Sequence, residues 1–263
     1  MHPIKSISEI HSILIKILQE FHKICEANDI PYYLVYGTML GAKRHKGFIP
    51  WDDDVDVAIE FKYYNKLVNC LKNELPERYK VITRYDKKGV PAGYLKIEDT
   101  NTLLIESWTK REKCTGVFID VFLLYPSDGK TNLFSRYTII KCLRYIQVNR
   151  FYKINKSKIS DIIIKSMIKS IFFWIKPYYY ANIIERYLIP HNGNYYCTYA
   201  TIYNKKDIIS KDIFGSPTLV EFEGIYFCGI ENSDAYLRHM YGEYNVLPSP
   251  ENRRVHISEA YYI

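Results

Sequence analysis

Apolar residues recur along this chain with two different periods, and each change of period marks an element. Ile10, Ile13, Leu14, Ile17, Leu18, Phe21 and Ile24 fall every three or four residues, the spacing of one helix face. Ser6-Ile7-Ser8-Glu9 just ahead of them has the form of a capping box, so a helix is expected to run to Asn28. Residues 32–36 read as a short apolar strand entering a tight turn at Gly37-Thr38, with a short helix over 38–44. From 54 to 60 the period falls to two: Asp54, Asp56 and Ala58 point one way, Val55, Val57 and Ile59 the other. That pattern predicts a strand with one face for the core and paired carboxylates on the opposite face.

Beyond it, residues 63–75 read as a helix closed by Pro76, and 80–84, 94–97 and 116–124 as strands. Residues 131–190 are expected to be mostly helical, with a hairpin around 220–227, a helix over 233–241 and a Pro-rich tail. The elements describe an α+β fold, a small mixed sheet with helices against it. Three parts are expected: a core over 1–130, a helical insertion over 131–190, and a C-terminal portion over 191–263 that completes the site.

Composition narrows this picture without creating it. A chain of 263 residues with 48% apolar content can bury a full core. It opens without the basic start and apolar run of an export signal, and no run of about 18 apolar residues suggests a membrane span. Cys25, Cys70, Cys114, Cys142, Cys197 and Cys228 are scattered, with no CxxC and no close His partner. Structural zinc is therefore not expected, and reduced thiols in a cytoplasmic protein are.

The net charge of +7 is unevenly placed. Residues 136–176 hold ten Lys/Arg against one acid, Asp161, a balance of +9, which leaves −2 for the rest of the chain. Inside that segment 159–175 is strongly apolar, with Lys165 and Lys169 four apart. Two readings stand side by side: a helix lying in a membrane interface, its contact spanning 159–176, or a core helix whose lysines reach water. Nucleic acid is not expected as a partner, because no recognised binding motif accompanies the charge.

The chemistry concentrates in residues 36–60, YGTMLGAKRHKGFIPWDDDVDVAIE. Two carboxylates held side by side repel each other and lose hydration, so a divalent cation is their natural third party. Magnesium bound by two carboxylates commonly completes its shell with water and substrate phosphates, and Lys43-Arg44-His45-Lys46 supplies nearby positive charge. Asp-rich turns are also common as solvated loops, and it is the Gly-Thr turn followed by D-h-D-h that favours a metal site. Asp120 interrupts an otherwise apolar strand, where a charge is costly unless paired or bound to a cation. The alternative is an edge-strand carboxylate facing water.

Gly-Thr after a buried strand, then Dh[DE]h, resembles the nucleotidyltransferase superfamily, with Thr38 standing in for its second small residue. More narrowly, GTMLGAKRHKGFIPWDDDVDVAI resembles the LicD family, relatives of fukutin and the fukutin-related protein. The likeness continues more loosely through KIEDTNT, GVFIDVFL and the C-terminal FEGIYF…AYLRHMYGEY…RRVH. The resemblance implies a nucleotidyltransferase-like mixed sheet, with the basic helical segment inserted. It also implies transfer of a phosphorylated alcohol, typically phosphocholine, from a CDP-linked donor to a sugar hydroxyl of a surface glycan or its lipid-linked precursor.

It further implies that Asp54, Asp56 and Asp120 hold Mg2+ or Mn2+, and that Asp120 or Asp53 takes the proton from the incoming hydroxyl. Gly37 and Thr38 would meet the donor phosphates, with Arg44, Lys46 and Lys96 adding charge and His45 serving as a phosphate-binding or structural group, or else as a base. Arg253, Arg254 and His256 would fold back on the site, and Trp51 with nearby tyrosines could box a quaternary ammonium. Two other classes stay open: a nucleotidyltransferase moving a nucleoside monophosphate from an NTP to a small alcohol, and a non-catalytic glycan-assembly partner.

Overall fold

The hydroxyl of Ser6 caps the first helix, its oxygen accepting the Glu9 amide at 3.2 Å while its proton goes to the Glu9 carboxylate. A computed structural model describes residues 1–83, 85–86, 94–106, 115–130, 136–149, 159–172, 179, 182–183, 186, 192–198, 204–253 and 257–263. In chain order the elements begin with β1 (His2–Pro3), α1 (Ile7–Ala27), β2 (Tyr32–Leu34), α2 (Tyr36–His45), β3 (Asp56–Glu60), α3 (Tyr64–Glu74) and β4 (Tyr79–Ile82). There follow β5 (Tyr94–Asp99), β6 (Thr102–Glu106), β7 (Phe118–Ser127), α4 (Arg136–Asn149), α5 (Ile159–Phe172), β8 (Tyr195–Cys197) and β9 (Ile208–Ser210). The chain closes with α6 (Lys211–Phe214), β10 (Thr218–Phe222), β11 (Ile225–Gly229), α7 (Ser233–Tyr241) and β12 (Ile257–Tyr262).

The principal sheet has the order β2-β3-β7-β5-β4, and β8 and β9 extend it from the end of β7. Only β3 and β7 run parallel; β2, β5 and β4 join antiparallel, so the sheet is mixed. All seven apolar positions of the first stripe are buried on α1, together with Cys25. That face packs against the sheet, where Val57, Ile59, Ile119, Val121, Leu95 and Ile97 are fully enclosed. At roughly 1.5–3 kcal/mol per buried large apolar side chain, this layer is the main source of stability.

Several boundaries differ from the expectation, each for a local reason. The strand expected over 32–36 ends at Leu34, because the chain turns sharply at Tyr36, which sits at φ 47. Gly37 and Thr38 therefore lie in the first turn of α2 and are not a tight turn before it. The strand expected from 54 begins its pairing at Asp56, after Val55 has used its carbonyl on the Asp120 amide. A second sheet, β1-β12-β6, joins the two ends of the chain to residues 102–106. Its strands are short and lack clean alternation, so periodicity does not mark them. The hairpin is β10–β11, and α7 spans the residues expected for it. Within the helical segment α4 and α5 are described, and five of the six cysteines are free thiols among the described residues.

Candidate active site

Register assembles the site. The parallel pairing of β3 with β7 sets Asp56 opposite Asp120, and the antiparallel pairing of β7 with β5 sets Asp120 opposite Lys96. Three charged side chains, far apart in the chain, thus form one row across adjacent strands. Their chain neighbours Val57, Val121, Leu95 and Ile97 face the α1 core, so the row lies on the sheet's other face. Lys96 is buried, with its ammonium 4.0 Å from an Asp120 oxygen and 3.2 Å from the centre of the Phe118 ring. A carboxylate and an aromatic face together compensate a cation taken out of water.

Asp56 stands where carboxylates converge. Burial pushes its carboxyl well above the usual range, and Asp54, Asp120 and Asp52 push it the same way; Lys96 pulls it down. The loop ahead of β3 brings these groups together. The Asp52 amide donates to the Ile49 carbonyl at 2.9 Å, and the His11 ring bonds the Asp52 carbonyl at 2.7 Å while stacking on Phe48. Carboxylate oxygens of Asp52, Asp53 and Asp54 lie within 4.8 Å of one another. Oxygen-only donors crowded at like charge suit a hard divalent cation, so the residues present fit magnesium or manganese.

The start of α2 closes the other side. A Cβ at Gly37 would come within 2.6 Å of an Asp52 carboxylate oxygen, so only glycine allows this approach. The Thr38 hydroxyl oxygen accepts the Asp56 amide at 2.8 Å, tying the helix to the first residue of β3. Tyr36 holds its positive φ because it is fastened at both ends. Its amide donates to the Tyr236 hydroxyl at 3.1 Å, and its own hydroxyl pairs with that of Thr198 at 2.8 Å.

The basic run lies elsewhere. Arg44, His45 and Lys46 end α2, roughly 10–14 Å along the axis from Gly37 at 1.5 Å per residue. Arg44 donates to His45 Nε2 at 2.9 Å and to the Tyr244 carbonyl at 2.8 Å, and Lys46 takes the left-handed conformation that ends the helix. Burial lowers the pKa of both Arg44 and His45, and the Arg44 charge lowers that of His45 further. Arg253, in contrast, lies over the Trp51 ring at 4.2 Å, which returns the C-terminal tail to the acidic loop. Arg254 and His256 lie outside the described residues.

Three participants are not marked by the sequence pattern. The strand expected from 54 holds Asp54 and Asp56 and so leaves out Asp52, which lies in the loop ahead of it. Phe122 and Tyr94 are opposite each other one two-residue step from Asp120 and Lys96, and their half-buried rings lie 5.7 Å apart. Tyr36 meets Phe122 edge-on at 5.2 Å. Sheet register is the only signal that could have found this aromatic group.

Comparison with known proteins points the same way. Residues 29–141 match the model of the LicD/FKTN/FKRP nucleotidyltransferase domain. The lipopolysaccharide cholinephosphotransferase LicD of Haemophilus influenzae is 30% identical over 268 positions, spanning 95% of this chain and 96% of that protein. The human ribitol 5-phosphate transferase FKRP is 31% identical over 90 residues, 32% of this chain and 18% of its own length. An uncharacterized Rickettsia prowazekii protein shares 44% identity over 46 residues, 18% of this chain and 17% of that one.

Proposed function

The chain belongs to the LicD/FKTN/FKRP family, and from that premise we propose a phosphotransferase that moves phosphocholine from a CDP-linked donor to a sugar hydroxyl. The acceptor would be a cell-surface glycan or its lipid-linked precursor, modified in the cytoplasm where nucleotide-activated donors are made. The observation that carries this is the row Asp56–Asp120–Lys96 in strand register, with Asp54 beside it.

Asp54, Asp56 and Asp120 would hold magnesium or manganese, which when bound neutralises charge on the donor diphosphate and eases departure of CMP. Lys96 faces the Asp120 carboxylate at 4.0 Å and offsets its charge. A carboxylate oxygen of Asp120, or that of buried Asp53, receives the proton of the attacking sugar hydroxyl. Gly37 and Thr38, in the first turn of α2, present backbone amides where an anion is favoured. Arg253 brings a guanidinium to the same loop through Trp51. The aromatic pair Phe122 and Tyr94 lies about 7 Å along its strands from the carboxylate row, within reach of a choline head whose phosphate sits at the metal.

The test is hydrolysis of a panel of CDP-choline, CDP-ribitol, CDP-glycerol and CDP-ethanolamine with magnesium or manganese, in wild type and Asp56→Ala. Metal-dependent CMP release from CDP-choline that the variant abolishes is the expected result. Release from CDP-ribitol alone would move the donor toward that of FKRP. Pyrophosphate release from an NTP would make the chain a nucleotidyltransferase, and inertness toward every donor would make it a non-catalytic assembly partner.

A further inference from the structure

Helix α5 carries its apolar residues on the wrong side for a core element. Ile159, Ile163, Met167 and Ile171 recur every four residues along one side and are 76%, 60%, 56% and 52% exposed. Ile162 and Ile164 flank the stripe and are exposed as well, whereas Ile168 on the far side is buried. Lys165 and Lys169 lie across the helix from the ridge and are half-buried. Water thus meets a continuous apolar ridge more than two turns long, which a solvated surface helix does not present without an occupant.

We infer that this ridge docks α5 in the plane of an anionic lipid surface. Charge selects that occupant. The sequence around the ridge, residues 136–176, carries a balance of +9, matching acidic headgroups. A second copy of the chain on the same face would bring two such segments together, and repulsion opposes that pairing. No helix among the described residues is long and apolar enough to span a membrane. An in-plane position, with the ridge in the acyl boundary, accommodates both the exposed apolar face and the positive charge of the segment.

The inference stands whichever donor the site takes, since its readout is binding and not turnover.

The experiment is sedimentation of the full chain with phosphatidylcholine vesicles, with and without phosphatidylglycerol, comparing wild type with Ile163→Ser/Met167→Ser. Both positions are exposed, so circular dichroism and thermal midpoint should be unchanged. The expected result is binding to the anionic vesicles only, weakened by salt and reduced at least tenfold in the double variant. Equal binding to neutral vesicles, no binding, or anionic binding that survives the double substitution would each overturn it. A self-associated chain in sedimentation equilibrium that the same substitutions dissociate would instead make a second copy the occupant.

Discussion

Burial and the carboxylates of Asp54, Asp120 and Asp52 all push the Asp56 carboxyl upward, so its ionised form destabilises the metal-free fold. Asp56→Asn removes that charge at nearly constant shape. The metal-free variant is expected to melt about 2–4 °C above wild type, equivalent to about 1 kcal/mol, and to show none of the rise with magnesium that is expected of the wild type. A lower melting point would show that charge crowding does not govern the stability of this site. At Gly37 the conflict is steric: Gly37→Ala displaces the Asp52 carboxylate, an oxygen at the end of a flexible side chain. Turnover should fall at least tenfold while the thermal midpoint moves little. Phe122→Leu tests the aromatic group by keeping bulk and removing the π face. It should raise KM for a choline donor about 3–30-fold, the value of a cation–π contact, and leave a ribitol donor unaffected. These roles were legible in part. Asp54, Asp56 and Asp120 stand out because charge interrupts an apolar pattern. Phe122 and Tyr94 merge into it, since an aromatic on a strand looks the same whether it faces core or ligand.

Elements show where local sequence suffices. Helix α1 was legible because cap, stripe and length all agree, and α7 because its apolar positions recur at helical spacing. The boundary at 34–38 was not, because Tyr36 at positive φ defies its own preference and is held by Tyr236 and Thr198, some 160–200 residues away. Between β4 and β5, Arg78 makes a two-pronged bond to Asp99, whose side chain is fully buried. Removing one partner of a fully buried pair costs about 3–5 kcal/mol, but the arginine is 38% exposed and solvent moderates the loss. Arg78→Ala should therefore destabilise by about 2 kcal/mol in chemical denaturation, with no change in the dependence of activity on metal.

At the scale of the whole molecule, strands from beyond residue 190 complete sheets begun before residue 130: β8 extends β7, and β12 pairs with β6. Strands of the first and third expected parts thus share sheets. The sequence by itself determined the α+β class, the apolar face of α1, the alternation that opposes carboxylates to core, and the segment holding the excess charge. The face and the alternation are properties of local spacing, where helix and strand periods are set by backbone geometry, and the class and the charge are read by running along the chain. Tertiary structure decided the row Asp56–Asp120–Lys96, the aromatic pair beside it, the return of Arg253 to Trp51 and the outward ridge of α5. It also decided that the basic run at 44–46 lies at the far end of α2 from Gly37. Those are matters of which strand pairs with which, and of which helix face finds a neighbour. Period and composition are silent on both, because long-range pairing is set by the packing energy of the entire core.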